Sequence, residues 1–232
     1  KEELLAAVPL FVLMGFITEQ AGLMERLFTA FRLLFSRLRG ALFLVVILTA
    51  AVFAMATGIV GAAVTVLGIM ASPIMNKSGY DQQLSAGAIT AGGTLGILIP
   101  PSVMLIVMGP VLGVSVADLY AAAFGPGFML ASIYIIYLMG RAFLNPSLGP
   151  PVPVEERVHS VSVILKEVAL GVLPLLALIT ATLGSILAGL ATPTEASAVG
   201  AVGALLLTIM YGKFTFAGLK RALLNTMATS SM

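Results

Sequence analysis

The chain has no cysteine among its 232 residues, which excludes a disulfide framework and any thiolate metal centre. Charge is scarce as well. Asp, Glu, Lys and Arg make up 9% of the residues, and a formal net charge of +2 is too small to draw nucleic acid as a partner. The single histidine, His159, lies in a charged stretch, so no serine–histidine pair is available within an apolar region. Asp81 and Asp118 flank one apolar span from opposite ends, too far apart for an aspartyl dyad. His, Asp and Glu nowhere take a metal-ligand spacing. These absences argue against an enzyme. No signal peptide is visible, and a chain that starts at Lys1 and stops at Met232, just after an apolar segment begins near Leu223, reads as an internal fragment.

What is present is apolar. Hydrophobic residues make up 59% of the chain and the mean hydropathy is +1.11, which predicts an all-α, polytopic membrane protein whose surroundings are lipid and other membrane chains. About 20 apolar residues cross a hydrocarbon core of roughly 30 Å. On that measure residues 1–22 form a transmembrane helix. Residues 23–39 put Met24, Leu27, Phe28, Phe31, Leu34, Phe35 and Leu38 on one helical face, with Glu25, Arg26, Arg32, Ser36 and Arg37 on the other. That pattern suits an interfacial helix with its arginines among lipid headgroups, and equally an amphipathic helix packed on the protein's own flank. Residues 119–140 predict a further crossing, 141–166 a proline- and charge-rich cytoplasmic loop, and 167–212 two more crossings. Residues 213–232 are then a loop and the start of a truncated helix.

Two segments depart from simple crossings. Residues 40–76 carry no charge over 37 residues, about 55 Å as one helix, and hold the small, flexible run Ala56-Thr57-Gly58-Ile59-Val60-Gly61-Ala62 at their middle. A re-entrant hairpin is expected. Residues 82–117 contain Gly92-Gly93-Thr94-Leu95-Gly96-Ile97-Leu98-Ile99-Pro100-Pro101-Ser102, where two prolines remove two backbone donors and clash with carbonyls near Gly96 and Ile97. The helix must break there. Unpaired carbonyls at membrane depth are tolerated where protein, water or an ion satisfies them, so the break points to a solute or cation site.

Lysine and arginine accumulate on the cytoplasmic side of short loops. If 40–76 enters and leaves on one side while the other spans each cross once, then Arg26, Arg32, Arg37, Arg39, Lys77, Arg141, Arg157, Lys166, Lys213, Lys220 and Arg221 share one face. That is 11 of the 12 basic residues, and a single crossing at 40–76 would divide them.

The carbonyls near Gly96 and Ile97 and the hydroxyls of Thr57, Thr94 and Ser102 are hard oxygen ligands suited to a small cation. Helix N-termini that begin after the breaks offer N–H groups to an anion. The competing reading is that glycines permit close helix packing and prolines merely kink a span. It is favoured for Gly92, Gly93 and Gly96 taken alone, whereas the double proline opposite a hairpin tip favours a site. In Ala191-Thr192-Pro193-Thr194-Glu195-Ala196, Thr192 and Glu195 have the spacing of a capping box with proline at the first helical position, the reading favoured over a proton or cation site at Glu195.

Taken in order, Pro9-Leu10-Phe11-Val12-Leu13-Met14-Gly15, Leu38-Arg39-Gly40, Ala56-Thr57-Gly58, Gly79-Tyr80-Asp81, Gly93-Thr94-Leu95-Gly96 with Ile99-Pro100-Pro101-Ser102, and Ala191 to Ala196 resemble the large membrane subunit of tripartite ATP-independent periplasmic (TRAP) transporters, the DctM-like family. The resemblance covers nearly the whole chain. It implies an elevator-type secondary transporter of the bacterial inner membrane, built from two inverted repeats that each hold a re-entrant hairpin and a broken helix. It further implies sodium-coupled import of a small organic anion, usually a carboxylate, together with a small membrane subunit and a periplasmic solute-binding protein. Sodium is the coupling ion and no cofactor is expected.

On this mapping Thr57, Gly58, Gly93, Thr94, Gly96, Pro100 and Ser102 form the first-repeat cation site, and Thr57, Pro101 and Ser102 meet the substrate. Ile59 departs from the family's common second serine, which shifts coordination there toward backbone carbonyls. The second hairpin and its broken helix are missing, so the chain carries half of a transport site. Another inverted-repeat, ion-coupled anion transporter is the alternative, with a channel or passive scaffold as the rival class.

Overall fold

The computed structural model describes residues 2–58, 60–151 and 160–231. Ile59, Arg157 and His159, on which parts of the sequence reading rest, lie outside the described residues. Among those described the structure is helical, without strands. In chain order the helices are α1 (Glu2–Gln20), α2 (Leu23–Phe35), α3 (Ala41–Thr57), α4 (Val60–Lys77), α5 (Gln82–Leu98), α6 (Val103–Leu112) and α7 (Val116–Leu144). Next comes α8 (Val161–Ile179), which runs through a π-helical turn, Thr180–Gly184, into the short α9 (Ser185–Leu187). The last two are α10 (Pro193–Met210) and α11 (Phe216–Ser230). By length and apolarity four stretches can each cross a bilayer: Gln82–Leu112, Val116–Leu144, Val161–Leu187 and Pro193–Met210. The pair Ala6–Gln20 and Leu23–Phe35, bent by 59°, makes a fifth if counted as one broken span. The protein is a polytopic membrane protein.

Residues 40–76 form two antiparallel helices. Gly58 ends α3 in the left-handed region, φ 62°, its N–H donating to the Ala54 carbonyl at 2.9 Å, a conformation glycine adopts without the penalty of a β-carbon. The direction of each arm follows from α5. Gly93 faces Val64 and Gly68 faces Ile89, so α4 and α5 run opposite ways, whereas Gly92 faces Ala50 and Ile47 while Gly58 meets Pro101, so α3 and α5 run together. The arms close at their base, where the Leu42 N–H donates to the Tyr80 hydroxyl at 3.2 Å and the Phe43 and Tyr80 rings meet edge to face at 4.9 Å. The segment after α7 clasps the same place: the Gly40 N–H donates to the Gly149 carbonyl and the Asp81 N–H to the Leu148 carbonyl, each at 3.0 Å. Helix α3 is apolar on every side and buried on nearly every side, the expected fate of such a helix.

Several boundaries differ from the sequence expectation. The apolar face of α2 is taken by protein rather than lipid: Leu23, Met24, Leu27 and Phe28 are buried, and Gly171 of α8 approaches so closely that a β-carbon there would lie 2.8 Å from the Arg26 carbonyl. Its arginine edge also meets protein, with Arg26 standing 4.4 Å from the centre of the Tyr211 ring. Helix α2 stops at Phe35, short of residue 39. The loop expected at 141–166 is shorter, since α7 continues to Leu144 and α8 begins at Val161. A charged residue such as Arg141 or Lys166 does not end a helix whose long side chain reaches outward. The broken span ends at Leu112, with Gly113 in the left-handed region, rather than at 117. Near the C-terminus, Thr215 caps α11 by accepting the Gly218 N–H at 3.0 Å, so that helix starts at Phe216, well before Leu223, and packs Ala222 and Thr226 inward beside α1.

Candidate functional site at the helix break

The break in the α5–α6 span is built by local chemistry. Helix α5 begins at Asp81, whose Oδ1 accepts the Leu84 N–H at 2.8 Å, and its last regular bond is Ile99 N–H to the Leu95 carbonyl, also 2.8 Å. The next two residues are Pro100 and Pro101, joined by a cis peptide bond. Neither has an N–H to give, so the Gly96 and Ile97 carbonyls lose their helical donors. Ser102 is extended (φ −105°, ψ 126°), and α6 starts at Val103 with the Ser102 carbonyl accepting from Leu105 and Ile106 at 3.1 and 3.3 Å.

The hairpin tip lies directly against this break. A β-carbon on Gly58 would overlap the Pro101 carbonyl oxygen and come within 3.7 Å of the Ser102 Cα. Thr57, 2% exposed, donates its hydroxyl proton to the Phe53 carbonyl at 3.1 Å, and its oxygen lone pairs remain able to accept. Ser102 is 1% exposed and its side chain makes no capping bond. Gly96, Pro100 and Pro101 are buried beside them. Thr57, Gly58, Pro100, Pro101 and Ser102 therefore meet in one place, with the Gly96 carbonyl at the end of α5. The donor set is neutral oxygen throughout, which fits a small hard monovalent cation better than a soft metal.

Two of the residues singled out from sequence stand elsewhere. Thr94 is exposed and donates to the Ala91 carbonyl of its own helix at 2.7 Å. Gly93 is a packing position, where any β-carbon would run into Val64 of α4, and Gly92 likewise admits the Ala50 methyl. The close-packing reading of those two glycines describes their contacts.

Helix α7 supports the break from behind, through residues the sequence reading did not single out. The Tyr120 ring is fully buried and its hydroxyl lies 3.5 Å from the Ser102 carbonyl. Gly127 allows α7 to approach Ile99 and the Leu98 carbonyl, 2.9 and 3.5 Å from where its β-carbon would be. A tyrosine hydroxyl inside an apolar span needs a polar partner, and that signal could have identified Tyr120. Tyr80 and Asp81, of the Gly79-Tyr80-Asp81 motif, clasp the hairpin base and cap α5.

Glu195 is exposed at the start of α10. Its Oε2 accepts the Thr192 N–H at 2.8 Å and the Thr192 hydroxyl at 2.9 Å, while the Thr192 oxygen accepts the Glu195 N–H at 3.3 Å. That is a reciprocal capping box with Pro193 at the first helical position.

The family model for the DctM component of the tripartite ATP-independent periplasmic transporter matches residues 1–232. The chain belongs to the DctM family. Among curated relatives, the C4-dicarboxylate TRAP transporter large permease protein DctM of Pseudomonas aeruginosa is 35% identical over 85% of this chain and 45% of that protein. The protein of the same name from Rhodobacter capsulatus is 31% identical over 97% of the chain and 53% of its own length. The sialic acid TRAP transporter large permease protein SiaM of Vibrio cholerae is 32% identical over 98% of the chain and 52% of its own length. This DctM-family chain thus spans about half the length of the curated relatives it matches. Those relatives are named as transporter permeases, not as enzymes.

Proposed function

We propose that the chain forms one half of the transport site of a TRAP-type large permease, importing a small organic acid anion with sodium as the coupling ion. The observation that carries the reading is the contact of the Gly58 tip with the Pro101–Ser102 break, which gathers neutral oxygen groups from two chain segments at one buried point. In this reading sodium sits among the Thr57 and Ser102 hydroxyls and the carbonyls freed by Pro100 and Pro101. No arginine lies in α3, α4, α5 or α6, so the carboxylate of the substrate is held by the sodium charge, by N–H groups at the start of α6, and by a second hairpin and broken helix supplied elsewhere in the permease.

The relatives named for C4-dicarboxylates and for sialic acid support a carboxylate substrate. Membership of the tripartite family supports a small membrane subunit and a periplasmic solute-binding protein as partners, and the bacterial inner membrane as the location. Glu195, occupied by its cap, has a structural rather than a proton-carrying role.

The test is reconstitution. A full-length permease with its small subunit and binding protein takes up a C4-dicarboxylate or another carboxylate into liposomes only with an inward sodium gradient, and residues 1–232 alone do not. Sodium-independent uptake by the complete system, or sodium-driven uptake by residues 1–232, contradicts the proposal.

A further inference from the structure

A groove of about 350 Å³ opens between α5 and α7, on the side of α5 away from the hairpin. Its floor is made of small residues, including Gly87 and Ala91, and its far wall is Tyr134, Tyr137 and Leu138. Both helices belong to stretches long and apolar enough to cross a bilayer, so the groove lies at the depth of the acyl region. It is not a closely packed interface left slightly open: a β-carbon on Gly87 would meet nothing within 4 Å.

The direction of the groove follows from the contact of Gly127 with Leu98 and Ile99, taken with the bond from the Asp81 N–H to the Leu148 carbonyl at the other end of the two helices. From that point the two helices run antiparallel, which sets Ala91 beside Tyr134, Gly87 beside Leu138 and Leu84 beside position 141. The groove therefore extends from the middle of α5 to its first turn, about 12 Å from Ala91 to Gln83 at 1.5 Å per residue. At that end stands Arg141. It shares the face of Tyr134, Tyr137 and Leu138 by helical spacing, is exposed, and has no carboxylate partner among the described residues. The nearest acid in sequence on the facing helix, Asp81, is engaged as the cap of α5. Arg39, Lys77 and Arg141 all lie on the face to which the basic residues are assigned by their distribution.

We propose that this groove is a binding site for an anionic phospholipid, with one acyl chain along Gly87 and Ala91 between the tyrosines and the headgroup phosphate on the Arg141 guanidinium. An arginine fork matches phosphate oxygens in bidentate fashion, and the half-exposed Tyr137 has the apolar ring and polar tip suited to the boundary between acyl chains and headgroups. The charge selects the occupant: an apolar protein helix laid in the groove would leave Arg141 without a carboxylate partner among the described residues, whereas an anionic lipid satisfies groove and guanidinium together. A basic site on the cytoplasmic side matches the leaflet rich in anionic headgroups.

The experiment is native mass spectrometry of the full-length permease titrated with phosphatidylglycerol or with phosphatidylcholine, for the parent protein, Arg141→Gln and Gly87→Leu. Both substitutions are at exposed positions, and Gly87→Leu replaces a poor helix former where there is room for the side chain, so the fold is retained. The parent should hold one phosphatidylglycerol roughly tenfold more tightly than phosphatidylcholine. Arg141→Gln should abolish that preference while still binding lipid, and Gly87→Leu should lose the bound lipid of either kind. Equal affinity for the two lipids in the parent, unchanged binding in both variants, or a protein helix cross-linked from a photoreactive residue at Tyr137 would overturn the proposal.

Discussion

Gly58 and Pro101, 43 positions apart in the chain, are in backbone contact, and a β-carbon on Gly58 would overlap the Pro101 carbonyl oxygen. The turn that closes the hairpin and the prolines that break the next span thus form one structural unit. Gly58→Ala adds two penalties. A left-handed conformation costs a non-glycine residue about 1–2 kcal/mol, and overpacking against backbone costs roughly 1–3 kcal/mol more. Gly113 separates them, since it has a similar φ of 70° with open space around it. Gly113→Ala should lower thermal stability modestly and keep uptake in the full-length transporter. Gly58→Ala should lower stability further and reduce uptake at least tenfold. Thermal unfolding and initial uptake rates check both, and equal behaviour of the two variants would contradict the contact.

The hairpin also brings its two ends together. With Leu42 bonded to Tyr80 at its base, positions 39 and 77 leave the fold at the same end. The sequence has no cysteine to confuse the assay within residues 1–232. Single cysteines replacing Arg39 and Lys77 should react with a membrane-impermeant thiol reagent from the same side of the membrane, the cytoplasmic one. Labelling from opposite sides would require 40–76 to cross.

Tyr80 holds that base. Burial pushes its phenol above the ordinary tyrosine range, so it remains a neutral hydroxyl and accepts the Leu42 N–H. Tyr80→Phe keeps the ring against Phe43 but leaves a buried N–H unsatisfied, a cost of about 1–3 kcal/mol. Thermal unfolding should show the loss, and hydrogen exchange should report faster opening at Leu42 and its neighbours. Unchanged exchange there would remove the clasp from the account.

Glu195 and Thr192 cap α10 reciprocally. Glutamine can also complete such a box, so Glu195→Gln should retain most uptake across pH, whereas Thr192→Ala should lose about 1 kcal/mol of stability. Abolished uptake in a well-folded Glu195→Gln protein would instead indicate proton or cation binding.

Features that depend on local chemistry were legible in the sequence. Two prolines lack two donors wherever they stand, and Thr192-Pro193-Thr194-Glu195 specifies a cap by its spacing alone. The base and direction of the hairpin needed a contact between Leu42 and Tyr80 that no periodicity encodes. Thr94 was drawn to the site by its place within a motif, yet it lies two residues from both Gly92 and Gly96, about 200° around the helix from either. With Gly92 facing α3, Thr94 must face outward. For α2 the amphipathic pattern was unambiguous and its occupant was not, because lipid and the α8 surface satisfy the same apolar face equally well. Tyr120 escaped notice because its partner, the Ser102 carbonyl, lies on another helix.

The central claim is that Thr57 and Ser102 coordinate sodium where the hairpin tip meets the broken helix, and it is tested most directly by uptake as a function of sodium concentration. The system is the full-length transporter in reconstituted vesicles, with saturating binding protein and substrate. Loss of one coordinating group is worth on the order of 1–3 kcal/mol, or roughly 5- to 150-fold in apparent affinity. Thr57→Ala and Ser102→Ala should each shift half-activation to higher sodium, with the double variant worse than either. Thr94→Ala, whose hydroxyl points away, should not shift it. Superimposable sodium curves for the parent, both single variants and the double variant would contradict the assignment and leave only the backbone around Gly96 and Pro100.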